Sequence, residues 1–121
     1  MPLASAVSQY IRVTKTFSFD MAHALFGYDG PCKNIHGHTY HLYVTLRGKP
    51  VINSRDPKNG MVHDFTDLKN VVKEKIISQF DHALVLNKNS PHQNLDRLLT
   101  SQFEKIIFLE QQPTCENLLL H

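Results

Sequence analysis

The sequence predicts a small α+β domain, and three observations carry that prediction. Two long runs alternate with period two: Ile11 to Asp20 and His38 to Arg47. One stretch, Phe65 to about Gln79, repeats its apolar residues with helical spacing. Short apolar runs and capped helix starts then alternate through the last third of the chain. Period two marks strands with one face covered, and a 3.6-residue stripe marks a helix laid on a core.

The first strand places Ile11, Val13, Lys15, Phe17 and Phe19 on one face and Arg12, Thr14, Thr16, Ser18 and Asp20 on the other. His23 ends it. Phe26 to Lys33 holds Gly27, Asp29, Gly30 and Pro31, which predicts a loop. The second strand sets His38, Tyr40, Leu42, Val44 and Leu46 on one face and Thr39, His41, Tyr43, Thr45 and Arg47 on the other. Gly48 and Pro50 break it. Asn59-Gly60 predicts a hairpin turn, with Met61 to His63 as the returning strand.

Asp64 is placed as an N-cap, with Asp67 in an acidic first turn. The helix that follows aligns Phe65, Leu68, Val72 and Ile76. "FDHALVLN" reads as a short extended segment. A helix near Pro91 to Ser101 begins with Ser90 as cap and proline at its first position. "KIIFLE" is a short apolar strand. Thr114 caps a last helix, with Asn117 at its third position.

The chain has 121 residues, which fits one domain over 1–121. A formal charge of +2, with no basic run of five, does not indicate a nucleic-acid or membrane patch. No apolar stretch approaches the roughly 20 residues that span a bilayer. The segment "MPLASAVSQYIRV" lacks a basic start and an apolar block, so no signal peptide is expected there and a cytoplasmic location is. In that reducing setting, Cys32 and Cys115 are expected as free thiols.

Histidine is the unusual count: eight, four of them between His23 and His41. In a strand, residues i and i+2 point the same way, with Cα atoms roughly 6.5–7 Å apart. His36 and His38 can therefore aim at one point, and Gly37 lets another strand come close. If the two strands are antiparallel neighbours, His23 joins them. Three imidazoles with one open position match a catalytic zinc centre. The plain alternative is a set of polar strand residues.

Cys32 stays open at this point: a fourth ligand, a thiol activated beside a metal, or an inert loop residue. His41 and His63 read as ordinary strand residues, and His92 as solvated. Cys115 is expected to be buried. Asp81 and His82 are adjacent in an extended segment, so they face opposite ways unless the backbone bends. With a bend, an Asp–His–Cys relay with Cys32 becomes possible. Glu116 suits a helix N-terminus, and its carboxylate also suits the amino-imino edge of a guanine-like or pterin ring.

Taken in order, "FSFDMAH", "CKNIHGHTY", "GMVHDFTDLK", "FDHALVLN" and "PTCENL" resemble the motif series of the 6-pyruvoyl-tetrahydropterin synthase family, from about Phe17 to Leu120. That family includes the 6-carboxytetrahydropterin synthases of the queuosine pathway. The resemblance implies zinc on His23, His36 and His38. It makes Cys32 the catalytic thiol with Asp81 and His82 as partners, and Glu116 the pterin anchor, with Thr114 beside it.

The implied fold is the tunnelling fold, an antiparallel sheet with helices packed on one face. Subunits of that fold assemble as trimers or dimers of trimers, with active sites between them. The family continues after the last helix with strands absent from this sequence, so a member short of its C-terminal strands is expected. The implied activity is a zinc-dependent lyase on 7,8-dihydroneopterin triphosphate, releasing acetaldehyde and triphosphate and leaving 6-carboxy-5,6,7,8-tetrahydropterin. The alternatives are a pyruvoyl-forming synthase and a non-catalytic zinc-binding module. No nucleic-acid or membrane partner is expected.

Overall fold

The computed structural model describes residues 9–121. The segment weighed for a signal peptide lies largely outside the described residues. Four strands form one sheet in the order β2-β1-β3-β4. They are β1 (Ile11–His23), β2 (His36–Gly48), β3 (Leu84–Asn87) and β4 (Ile106–Leu109). The helices are α1 (Phe65–Val72), α2 (Asp96–Gln102) and α3 (Cys115–Leu120). The α+β expectation holds.

The sheet is mixed rather than antiparallel throughout. Thr14 bonds Thr45 and Thr39 bonds Asp20, so partner numbers fall along β2 as they rise along β1, the mark of an antiparallel pair. β3 instead runs parallel to β1, with Ala22 opposite Leu84 and His23 opposite Val85. β4 runs parallel to β3. Parallel pairing needs a long crossover, and the Pro91–Leu95 3₁₀ turn followed by α2 supplies it between β3 and β4.

The chain divides into two compact units. One holds the described residues up to Phe17 with His41–Lys75; the other holds Ser18–Tyr40 with Ile76–His121.

In the first unit, Asp64 caps α1 as expected, its carboxylate accepting from the Thr66 N–H at 2.7 Å. Lys58 pairs with the same carboxylate. Leu68 and Val72 are buried on the predicted stripe. Asn59-Gly60 does form a turn: Met61 N–H bonds the Lys58 carbonyl at 3.0 Å, and Gly60 takes φ +86°. The returning strand at Met61 to His63 does not form. Bonds from Gly60 N–H to Val51 O and from Val51 N–H to Met61 O close the loop locally, and Asp64 then starts the helix. Past Val72 the chain continues through a π turn, Lys73–Ile77, and a last α turn, Ser78–Phe80.

In the second unit, Met21, Phe80, Ala83, Val85 and Leu109 form the core. Val85 and Leu86 are 0% and 1% exposed. Burial of that kind contributes about 2 kcal/mol per side chain. Phe19, Met21 and His23 share one face of β1, because they are two residues apart. Phe19 and Tyr40 stack with ring centroids 5.3 Å apart. The apolar stripe therefore ends in a histidine, and His23 is only 6% exposed. Ser90 and Thr114 cap their helices as expected, accepting from the N–H groups of His92 and Asn117. Among the described residues, no helix is long and apolar enough to cross a membrane.

Candidate metal centre and adjoining cleft

His23, His36 and His38 each offer a ring nitrogen, and these nitrogens all lie within 4.8 Å of one another. All three residues belong to the second unit. The end of β1 and the start of β2 bring them together, as the i, i+2 argument requires. A Cβ added at Gly37 would sit 3.6 Å from the Met21 carbonyl, so the strands are close without requiring glycine there.

The other nitrogens of two of these rings are fixed. His23 Nδ1 lies 2.6 Å from the Pro113 carbonyl, and His36 Nδ1 lies 2.7 Å from the Asn34 carbonyl. A carbonyl only accepts, so each Nδ1 carries the proton and donates it. In the neutral ring, Nε2 then keeps its lone pair. The two Nε2 atoms lie 3.0 Å apart. Facing lone pairs at that distance repel unless a cation or a proton lies between them. The donor set, its spacing and its backbone supports fit a divalent ion bound through imidazole. Burial holds the His23 imidazole below its ordinary pKa, and His36 and His38 push the same way against the Pro113 carbonyl. That keeps the ring neutral, which ligation needs.

Tyr40 borders the group, with its ring centroid 5.7 Å from that of His38. Burial pushes its phenol up to about 12, and Cys115 nearby adds to the shift.

Asp81 and His82 do meet. His82 Nδ1 lies 3.1 Å from Asp81 Oδ1. The bend that allows this is at His82 itself, whose φ is +64°. A side chain in that region is uncommon and strained, and such strain concentrates at functional sites. Two backbone bonds hold the bend: His82 N–H to Asp20 O at 2.6 Å and Ala22 N–H to Ala83 O at 2.9 Å. Lys105 Nζ adds a bond to the Asp81 carbonyl at 2.6 Å. The Asp20 N–H donates to Asp81 Oδ1, and this bond leads in holding the Asp81 carboxyl below its usual range, with His82 and Lys105 assisting.

An open cleft of about 450 Å³ is lined in part by Asp20, Gly37, His38, Thr39, His82 and Ala83. One member of the histidine group and one member of the Asp81–His82 pair thus face the same space. Asp20 and Thr39 lie within two of the quoted motifs, "FSFDMAH" and "CKNIHGHTY", but their residue types announce no role in a site. Thr39 donates to Asp20 Oδ1 at 2.6 Å on the face of β1 opposite His23.

Cys32 sits half-buried as a free thiol in the Pro31–Lys33 turn. Its carbonyl accepts from the Leu25 N–H at 3.0 Å, tying the turn to the residues just after His23. Thr114 uses its hydroxyl to cap α3, and Glu116 lies exposed in the first turn of that helix. Cys115, expected to be buried, is exposed because the first position of α3 faces outward. His92, expected to be solvated, is half-buried with its ring edge-on to Phe26 at 5.3 Å.

Comparison with known proteins places these features in a family. The family model for 6-pyruvoyl tetrahydropterin synthase matches residues 12–121. The 6-carboxy-5,6,7,8-tetrahydropterin synthase of Haemophilus influenzae is 43% identical over 83 residues, covering 69% of this chain and 57% of that protein. The protein of the same name from Rickettsia typhi is 34% identical over 116 residues, covering 92% of this chain and 76% of its own. Among solved structures, Caenorhabditis elegans 6-pyruvoyl tetrahydropterin synthase is similar at a TM-score of 0.61 and 27% identity, over 93% of this chain and 73% of that one. An uncharacterized protein from Wolinella succinogenes shares the fold at a TM-score of 0.69 and 19% identity, over 91% and 79% of the two chains. With nearly its whole length matched by one family model, this chain belongs to the 6-pyruvoyl tetrahydropterin synthase family.

Proposed function

We propose that this chain is a zinc-dependent lyase that converts 7,8-dihydroneopterin triphosphate and water to 6-carboxy-5,6,7,8-tetrahydropterin, acetaldehyde and triphosphate. The observation that carries the reading is the convergence of His23, His36 and His38, with two rings locked through Nδ1 onto backbone carbonyls. The carboxy-forming product is favoured by the names of the Haemophilus and Rickettsia relatives. The pyruvoyl-forming alternative draws on the Caenorhabditis structure.

His23, His36 and His38 would hold the zinc, which when bound supplies Lewis-acid polarisation of the substrate's side-chain hydroxyls. Cys32 is the group that takes and returns the carbon-bound proton. His82 donates through Nδ1 to Asp81, which leaves Nε2 to exchange a proton with a substrate hydroxyl. Asp81 orients that ring through the Nδ1 contact. Glu116, exposed at the first turn of α3, would accept two parallel N–H bonds from the pterin and keep it in register. Thr114 shapes the same turn. We place the enzyme in the cytoplasm as a homo-oligomer, a trimer or a dimer of trimers.

The test is product analysis of zinc-loaded protein with 7,8-dihydroneopterin triphosphate. Acetaldehyde with a carboxylated pterin supports the reading. A pyruvoyl product assigns the shorter reaction. Neither product, with zinc tightly bound, leaves a non-catalytic zinc-binding module.

A further inference from the structure

We infer that Gln112 is a positioning residue for the metal centre, acting through Pro113 on His23. The inference rests on reading His23, His36 and His38 as ligands. His23 can present Nε2 only while its Nδ1–H meets a carbonyl fixed in space, and that carbonyl belongs to Pro113. Pro113 is itself held by the residue before it.

Gln112 bonds in three directions. Its Nε2 donates to the Phe26 carbonyl at 2.8 Å, pinning the loop that follows His23. Its Oε1 faces Asn87 Nδ2 at 3.4 Å, at the end of β3. Its backbone carbonyl accepts from Thr114 N–H at 2.8 Å and from Asn117 Nδ2 at 2.9 Å. The Thr114 bond closes a three-residue turn with Pro113 at its centre, a position suited to the fixed φ of proline. The ring of Pro113 is fully buried, so the turn cannot swing. The corner therefore aims one carbonyl at one histidine. Groups that orient a ligating histidine typically change metal affinity by 10–100-fold when lost.

Two near-isosteric variants test this. Gln112→Glu replaces the donor to Phe26 with an oxygen that repels that carbonyl. Asn117→Asp removes the donor to Gln112 while placing a carboxylate in the first turn of α3, where the helix dipole favours it. Zinc affinity is measured by competition with a chromophoric chelator. The His23 tautomer in metal-free protein is read from ring nitrogen shifts, and the unfolding midpoint is recorded alongside.

The expected result is zinc binding weakened about tenfold or more in both variants. His23 leaves the single Nδ1–H tautomer, and the Asn117→Asp midpoint is unchanged or raised. Wild-type affinity and tautomer in both variants overturn the positioning role alone. Affinity that falls only in step with the midpoint also overturns it. A wild-type chain that binds no zinc overturns the ligand reading and this inference together. Absence of turnover with zinc bound leaves the expected affinity changes in force and bears only on the proposed reaction.

Discussion

His23 and His36 face each other through Nε2 atoms 3.0 Å apart, and each ring gives its Nδ1–H to a backbone carbonyl. That arrangement costs free energy without a cation and gains it back with one. Zinc at about a hundred times its Kd should therefore raise the unfolding free energy by about 2.7 kcal/mol. His36→Ala should abolish stoichiometric zinc binding and this stabilisation. Cys32→Ala should leave both intact, and loss of zinc from that variant would make Cys32 a ligand. Thermal unfolding with and without chelator measures these outcomes.

Asp81→Asn keeps the shape of the pair but removes the charge facing His82. Turnover in the proposed reaction should fall about a hundredfold with zinc content unchanged. The Asp81 carboxyl sits below its ordinary range because the Asp20 N–H donates to it. A carboxyl whose folded pKa is depressed contributes stability above the unfolded value near 3.8, and that contribution is lost as pH falls through the folded value. The wild type should lose stability relative to Asp81→Asn below about pH 4, as acid titration followed by circular dichroism would show. A constant difference across that range would remove Asp81 from the account.

Leu86 is 1% exposed in the central strand β3. Leu86→Ala should destabilise by about 3 kcal/mol, measured by denaturant unfolding.

Gly60 takes φ +86° with nothing within 4 Å of where a Cβ would stand. Gly60→Ala should cost about 1 kcal/mol from backbone conformation alone. A neutral change would mean that the turn relaxes to another type.

Much of the fold was readable from period and punctuation. β1 begins at Ile11 and ends at His23 as expected, and Asp64, Ser90 and Thr114 cap the helices assigned to them. The misses share a cause. The Asn59-Gly60 turn signal predicts a strand at Met61 to His63, but a turn residue does not specify the pairing beyond it. The parallel joining of β3 and β4 depends on a crossover that no local pattern states.

In the site, the histidine cluster could be read because side-chain spacing encodes it. Its supports could not, because Pro113 and Asn34 act through backbone carbonyls, which every residue has. Asp81–His82 pairing needed a left-handed histidine, a conformation the sequence does not announce. Asp20 and Thr39 look like ordinary outward strand residues until the cleft is formed around them.

The bond from His23 to Pro113 joins positions 90 residues apart. A fragment cut before Pro113 would retain every histidine of the cluster and both strands that carry them. Its first imidazole would nonetheless lose the carbonyl that fixes its tautomer. Completeness of this centre is therefore decided near the far end of the chain, at a residue that reaches it through a backbone carbonyl.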